Sequence, residues 1–111
     1  LPINRGILST IYCETKNKLT LEEIHEIYTI RYKNKDFVHV LPLGETAEIK
    51  HVKYTNNCHI SLHQNYRKDK LIIVSVIDNM VKGAAGQAIQ NMNIILGLPQ
   101  NTGLKLIAPS F

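Results

Sequence analysis

The sequence lacks the common patterns of nucleotide-binding loops and membrane spans. Neither GxGxxG nor GxxxxGK[ST] occurs, so the two usual glycine-rich loops that hold phosphate groups are absent. The apolar run at residues 71–74 is far too short to cross a bilayer. Residues 1–5 lack the long apolar segment and cleavage site of a secretory signal. We therefore expect a cytoplasmic protein without a membrane partner.

Cysteine is scarce, and the histidines do not form a metal-binding pattern. Cys13 and Cys58 are far apart without CxxC spacing, so we expect two free thiols, with Cys13 inert within a strand. His59 and His63 share a strand face, but four strand residues span about 13 Å. The other histidines, on a helix and on different strands, are His25, His39 and His51. We predict no metal ion and no catalytic residue in this chain.

Positive charge exceeds negative charge, but it is not concentrated in one place. The formal net charge is +4 and the isoelectric point is about 9.1, yet the 13 lysines and arginines are spread along the chain. The one cluster, at residues 67–70, is interrupted by Asp69. This distribution is typical of a solvated surface, so we expect no nucleic-acid partner.

The hydrophobic pattern predicts an α+β fold with a mainly antiparallel sheet and helices on one face. Predicted strands cover residues 6–15, 36–43, 49–54, 58–63 and 71–77. The first carries apolar residues on both faces and should be covered on both sides, and the last should be central. In the fourth, Cys58, Ile60 and Leu62 should face inward and His59, Ser61 and His63 outward. Thr20 and Glu23 fit the capping box of a helix that runs to about Asn34.

A second helix is predicted from about Asn79 to the stop at Gly97 and Pro99. Its predicted buried stripe comprises Val81, Ala85, Ala88, Met92 and Ile95. Its first turns contain Gly83 and Gly86, and each costs a helix about 1 kcal/mol relative to alanine. Either these glycines allow tight packing on another element, or a ligand passes close to the helix N-terminus.

Four charged or polar residues adjoin these elements. Lys82 lies beside the glycines and is compatible with an anionic ligand, while Asp78 and Asn79 are residue types preferred as helix caps. Arg5 opens the first strand, and its planar guanidinium suits a carboxylate or a phosphate. From the residues alone, the chain has an anion-compatible helix terminus and one candidate anion-binding arginine, without a complete catalytic set.

Several segments together resemble one enzyme family. The longest is residues 77–104, IDNMVKGAAGQAIQNMNIILGLPQNTGL, which is similar to the C-terminal signature of the N-acetyl-gamma-glutamyl-phosphate reductases. Residues 2–11, 37–42 and 56–60 are similar to further segments of that family, in the same order. Tyr54 stands where the family usually has glycine, so we expect a different local turn there. Aspartate-semialdehyde dehydrogenases have a related D-N-L-R-K-G-A-A stretch, but the QNMN ending favours the reductases.

The resemblance implies a fold like that of glyceraldehyde-3-phosphate dehydrogenase, with a Rossmann domain followed by an α+β domain. Residues 1–78 would then belong to the α+β catalytic and oligomerisation domain. Residues 79–111 would form a C-terminal helix and tail that pack on an NADP-binding Rossmann domain absent from this chain. The family's nucleophilic cysteine and catalytic histidine lie upstream of the matched segments, so we expect this chain alone to be inactive.

The resemblance also implies an activity, a cofactor and partners. The family reduces N-acetyl-glutamyl phosphate with NADPH to N-acetyl-glutamate semialdehyde in arginine biosynthesis. Asn79 is similar to the asparagine near the nicotinamide carboxamide, and Lys82, Gly83 and Gly86 would line the cofactor side. Arg5 is similar to the arginine that holds substrate phosphate or carboxylate. The implied partners are the substrate, the Rossmann domain and further copies of the chain. The alternatives are a self-associating module without catalysis and an aspartate-semialdehyde dehydrogenase-type fragment.

Overall fold

The computed structural model describes residues 2–110, so Leu1 and Phe111, the outer ends of the two predicted segments, lie outside it. The elements in chain order are β1 (Ile7–Cys13), α1 (Leu21–Tyr32), β2 (Val38–Val40), a 3-10 turn (Ile49–His51), β3 (Cys58–Gln64), β4 (Leu71–Ile77), a π-helical turn (Val81–Ala85) and α2 (Gly86–Ile95). No helix within the described part is long and apolar enough to cross a membrane.

The four strands form one sheet in the order β1-β4-β3-β2. β4 pairs antiparallel with both β1 and β3, so that Ile77 is opposite Ile7 on one side and Cys58 on the other. β2 runs parallel to β3 and is shorter than the predicted strand over 36–43. The prediction of a mainly antiparallel sheet with a central last strand is confirmed.

α1 covers one face of the sheet and begins as its sequence predicts. The side chain of Thr20 accepts a hydrogen bond from the Glu23 N–H at 3.2 Å, and the Glu23 carboxylate accepts one from the Thr20 N–H at 2.7 Å. This reciprocal box satisfies two N–H groups that a helix start otherwise leaves unpaired. Ile24 on the inner side of the helix is buried against Ile60 and Leu62 of β3.

The opposite face is covered by the connection between β2 and β3, and the predicted strand over 49–54 is wrong. The segment instead turns at Ile49–His51, where the N–H groups of Val52 and Lys53 both donate to the Ile49 carbonyl. The apolar residues Ile49 and Val52 are three positions apart, which matches a 3-10 turn rather than a strand. Val52 is thereby fully buried against Val74 and Val76 of β4.

The same connection changes the surroundings of β3, so the predicted outward position of Ser61 is also wrong. Ser61 is fully buried, and its hydroxyl accepts a hydrogen bond from the Ala47 N–H at 3.0 Å. Alternating polar residues indicate a solvent-facing side only where no other segment covers the strand. Here a loop supplies both the cover and the hydrogen-bond donor.

β1 lies at the edge of the sheet, which corrects the prediction that it is covered on both sides. Its apolar side chains are exposed on both faces, and they include Ile7, Leu8, Ile11 and Tyr12. The residues of this strand have the composition of a covered strand. The described chain supplies no layer over either face of it.

The buried side of α2 also differs from the predicted stripe. Ala85, Ala88, Met92 and Ile95 are exposed, and the buried residues of α2 are Gly86 and Asn93. The Asn93 amide donates to the carbonyls of Gln100 and Thr102 at 3.1 and 3.0 Å, which ties the tail to the helix. The helix ends before Gly97, which has a φ of 69°, as predicted.

Candidate functional site

The start of β1 and the end of β4 meet at a fully buried carboxylate, that of Asp78. Its Oδ2 accepts hydrogen bonds from Arg5 Nε at 2.7 Å and from the Tyr54 N–H at 2.6 Å. Its Oδ1 accepts from the N–H groups of Met80 and Val81 at 2.8 and 2.9 Å. One side chain therefore joins the first strand, the β2–β3 connection and the first turn after β4.

The hydrogen bonds keep Asp78 ionised despite its burial. Burial is the largest single influence and by itself raises the pKa of the carboxyl. The bonds from Arg5, Tyr54, Val81 and Met80 favour the charged form and together lower the pKa below its usual value. The bond to Asp78 likewise raises the pKa of Arg5, so the two groups form a stable ion pair.

Arg5 is held from a second direction by an aromatic ring. Its guanidinium carbon lies 3.8 Å from the centroid of the Tyr54 ring, and its side chain is 27% exposed. Since Nε is used by Asp78, the terminal Nη groups are the donors left for an oxyanion. Tyr54 has a φ of 61°, so the tyrosine adopts the left-handed conformation that favours glycine.

Asn79 lies next to this ion pair, so the structure brings the two predicted site residues Arg5 and Asn79 together. Its Oδ1 accepts a hydrogen bond from the Gly6 N–H at 2.8 Å, between residues 73 positions apart in sequence. Gly6 has a φ of 115°, and a Cβ there would collide with the side chain of Ile49. The antiparallel pairing of Ile7 with Ile77 sets this neighbourhood.

Lys82 and Gly83 follow in the π-helical turn. The Lys82 ammonium donates to Gln90 Oε1 at 2.8 Å and lies 5.1 Å from the centroid of the Phe37 ring. Burial lowers the pKa of Lys82. Gly83 is exposed, and a Cβ there would have no neighbour closer than 3.5 Å. No contact with the described residues therefore requires glycine at position 83.

Gly86 differs because it is buried within the chain. A Cβ at this position would lie 2.8 Å from the Val81 carbonyl oxygen and closer still to Asn56 Oδ1. Asn56 is itself fully buried and donates to Gln90 Oε1 at 3.0 Å. Tight packing, one of the two interpretations of the sequence, is sufficient to account for this glycine.

In the described part of the chain, none of the cysteines and histidines hydrogen-bonds to the Asp78 carboxylate, although Cys58 pairs with Ile77 next to it. Cys13 and Cys58 are free thiols in β1 and β3. The rings of His39 and His59 have centroids 5.3 Å apart, and His63 contacts the Ser61 hydroxyl at 3.0 Å. No group of three or more residues suited to a metal ion occurs among residues 2–110. The absence of a bound metal from the protein stays a prediction.

The residues predicted to face NADP fit that role unequally. Gly83 is exposed and sterically open, and Asn79 uses only its Oδ1 within the described chain, which leaves its Nδ2 as a donor. The Lys82 ammonium is hydrogen-bonded to Gln90, and Gly86 is packed closely against Asn56. The cofactor-facing roles of all four residues stay predictions, and the geometry favours Asn79 and Gly83.

The sequence offered Asp78 and Asn79 as possible helix caps, and Asp78 does accept bonds from the N–H groups of Met80 and Val81, although the helical turn itself begins after Met80. The contact of Asp78 with Arg5 and the part of Tyr54 in the site were missed. The ion pair has no local signal, since it joins residues 73 positions apart. The sequence signal for Tyr54 is its departure from the glycine that the resembling segment usually has.

Comparisons with known proteins agree with this fold. Residues 1–79 match the family model described as semialdehyde dehydrogenase, dimerisation domain. Over all 111 residues the chain is 69% identical to the N-acetyl-gamma-glutamyl-phosphate reductase of Clostridium botulinum and 68% identical to that of Clostridium beijerinckii. It is 61% identical to the reductase of Brachyspira hyodysenteriae over 112 aligned positions. The chain spans 32% of the length of each of these relatives.

A solved structure shares the fold at low sequence identity. The chain superposes on aspartate semialdehyde dehydrogenase II of Vibrio cholerae, in a crystal structure complexed with ASA, with a TM-score of 0.68. The match covers 87% of this chain and 29% of the other, at 15% identity. The likeness therefore shows the fold alone.

Proposed function

The chain belongs to the semialdehyde dehydrogenase dimerisation-domain family, and on this basis we propose that it is the C-terminal part of an NADP-dependent N-acetyl-gamma-glutamyl-phosphate reductase. The observation that carries the proposal is the 69% identity to such a reductase over all 111 residues. The complete protein would convert N-acetyl-glutamyl phosphate to N-acetyl-glutamate semialdehyde in cytoplasmic arginine biosynthesis. The nucleophile would come from the two thirds of the enzyme that this chain does not include.

In this proposal the residues around Asp78 bind and orient. Arg5 would hold an oxyanion of the substrate, because its Nε is already fixed and its Nη groups are available as donors. Asn79 and the exposed backbone at Gly83 would hold the nicotinamide end of NADPH, and Lys82 and Gly86 would support that surface from within the chain. NADPH supplies the hydride when it is bound.

The proposed domain arrangement assigns residues 1–78 to the α+β domain and residues 79–111 to a helix and tail that pack on an NADP-binding domain. The exposed apolar side chains of α2 and the turn after it support this assignment, and they include Ile94, Ile95 and Leu96. Ile95 is 82% exposed. Large exposed apolar surfaces commonly mark sites of contact with another domain or subunit.

We further propose that the complete protein is a homo-oligomer. The description of the matching family as a dimerisation domain supports this proposal. β1 is also an edge strand with apolar side chains exposed on both faces, a composition that natural proteins usually cover.

The test uses the full-length protein that contains this chain. We would follow absorbance at 340 nm with N-acetyl-glutamate semialdehyde, NADP and phosphate, in the wild type and an Asn79→Asp variant. That variant keeps an acceptor for the Gly6 N–H and removes the Nδ2 donor. We expect phosphate-dependent NADPH formation, with a KM for NADP that rises in the variant.

Asn17→Asp is the matched control, because Asn17 is exposed between β1 and α1, outside the surface proposed to face the cofactor domain. Its kinetics should equal those of the wild type. Turnover of aspartate semialdehyde in place of the acetylated substrate would contradict the proposed substrate. Equal KM values in Asn79→Asp and the wild type would leave Asn79 with the structural role of tying the start of β1 to the end of β4.

A further inference from the structure

We propose that Tyr54 and Asp78 are positioning residues that fix the guanidinium of Arg5 for an oxyanion ligand, a phosphate or a carboxylate. This inference depends on the proposed function in one respect, which is that the oxyanion is a group of the reductase substrate. The three residues come from the β2–β3 connection, the end of β4 and the start of β1. Their contacts form a closed set in which each residue touches the other two.

Asp78 fixes one edge of the guanidinium. Its carboxylate is fully buried and is held by three backbone N–H groups in addition to Arg5, so it cannot turn away from the arginine. The bond to Nε at 2.7 Å is short and charge-assisted. Arginine is therefore anchored near the base of its planar group, and the Nη end remains for a ligand.

Tyr54 fixes the plane of the same group. A ring whose centroid is 3.8 Å from the guanidinium carbon covers one face of it, which leaves the other face and the Nη edge. The backbone N–H of Tyr54 donates to the Asp78 oxygen that also accepts from Arg5. The side chain and the backbone of one residue therefore act on the two members of the ion pair.

The backbone conformation indicates that the ring, rather than the turn, is the reason for tyrosine here. A φ of 61° is a conformation that glycine adopts without strain and that a bulky residue rarely adopts. Glycine would make the same N–H bond to Asp78 but could not cover Arg5. The strained tyrosine adds only the stacked ring, whose outer part is exposed and whose inner face lies against the guanidinium.

The experiment compares Tyr54→Phe and Tyr54→Gly in the full-length protein, with Arg5→Lys as the variant that removes the bidentate donor. The probe is inorganic phosphate, and N-acetylglutamate serves as a carboxylate probe in a parallel series. The rise in melting temperature with probe concentration gives the dissociation constant of each variant. A probe that binds elsewhere still stabilises Arg5→Lys, so the Arg5-dependent part of the binding is identified.

We expect the wild type and Tyr54→Phe to bind the preferred probe equally, since both keep a ring. Tyr54→Gly should bind it about 3-fold to 30-fold more weakly, the range expected for loss of a cation–π contact. Its melting temperature without probe should equal or exceed that of the wild type, because glycine relieves the positive φ. The probe with the larger Arg5-dependent effect identifies the ligand as a phosphate or a carboxylate.

Kinetics provide a second readout that a purely structural role would not move. Tyr54→Gly should raise the KM of the substrate that carries the oxyanion by a similar factor, with a smaller change in kcat. Equal dissociation constants in Tyr54→Gly and the wild type for both probes, or no Arg5-dependent binding at all, would overturn the inference. A wild type without phosphate-dependent NADPH formation would overturn the proposed function, while the probe measurements would still decide whether Tyr54 positions Arg5.

Discussion

At the scale of single residues, the carboxylate of Asp78 connects more segments of the chain than its place in the sequence suggests. It receives four hydrogen bonds from residues of three different segments. A buried charge is tolerated only where such bonds replace the water that it has lost. Asp78 therefore both binds the first N–H groups of the turn after β4 and fixes Arg5.

The first prediction concerns Asp78→Asn, which keeps the shape of the side chain and removes its charge. Arg5 loses its ionic partner, so we expect the free energy of unfolding at neutral pH to fall by about 3 kcal/mol. The folded-state pKa of Asp78 is lower than its ordinary value of 3.8. Its ionic contribution is therefore fully present above pH 3.8 and is lost as the pH falls through the lower folded-state pKa.

Urea denaturation between pH 7 and pH 2 checks both parts of this prediction. The difference in the free energy of unfolding between the wild type and Asp78→Asn should be constant from pH 7 down to about pH 4. It should shrink below pH 3.8. Glu48→Gln is the control, because Glu48 pairs with Lys50 on the surface. It should leave stability at neutral pH unchanged, since exposed ion pairs contribute little. A difference that grows on acidification would refute the assigned role of the Asp78 charge.

At the scale of elements, the two glycines at the start of the last helix have different physical reasons. Gly86 is buried where a Cβ would press on Asn56 and Val81, whereas Gly83 is exposed and has room for one. Between them Ala84 has φ −146° and ψ −106°, so the chain leaves helical geometry before α2 begins. The sequence shows both glycines at equivalent helical positions and cannot distinguish them.

The second prediction contrasts the two alanine variants. Gly86→Ala should lower the free energy of unfolding by about 1–3 kcal/mol, because the added methyl overpacks a closed contact. Gly83→Ala should be neutral or more stable by up to about 1 kcal/mol, since alanine favours helical backbone. Thermal and urea unfolding of the two variants measure this difference. Equal destabilisation would mean that steric fit does not separate the two positions.

The third prediction addresses the cofactor role of Gly83. In the full-length protein, Gly83→Ala should raise the KM for NADP without loss of stability, because the methyl would stand between the backbone and the cofactor. Steady-state kinetics at varied NADP, together with a melting temperature, check it. An unchanged KM would remove Gly83 from the cofactor-facing surface.

At the scale of the whole molecule, two exposed apolar surfaces of the described chain are suited to contact with another domain or copy. One is β1, where both faces carry exposed side chains, and the other is α2 with the turn after it. The chain spans 32% of the length of its relatives, so the remainder of such a protein is available to cover them. A second copy is the other available cover.

The fourth prediction is that the 111-residue chain associates with itself in the micromolar range through β1. Sedimentation of Ile11→Lys should show less association than the wild type, because a charge would then lie on the exposed face of the edge strand. Ile30→Lys is the control, since Ile30 is also apolar and exposed but lies on α1. A wild-type chain that stays monomeric, or equal effects of both substitutions, would exclude β1 as the contact.

Features that depend on near neighbours in the chain are already determined by the amino-acid sequence. The capping box at Thr20, the apolar run of β4 and the stop at Gly97 are set by the residues within and next to each element. The family signature over residues 77–104 is also local, and it is sufficient to indicate the reductase relatives. The mainly antiparallel sheet followed from the order of these elements.

Tertiary packing determines which distant residues lie side by side. The turn over 49–54 and the burial of Ser61 depend on a loop folding back over the sheet, and the buried side of α2 depends on Asn56. Arg5 and Asp78 meet because β1 and β4 pair antiparallel, and Tyr54 joins them from the connection between β2 and β3. No local pattern relates these three residues. Burial and hydrogen bonding between distant residues arise only when the chain packs. The site therefore forms only once the start of β1, the β2–β3 connection and the end of β4 are in place.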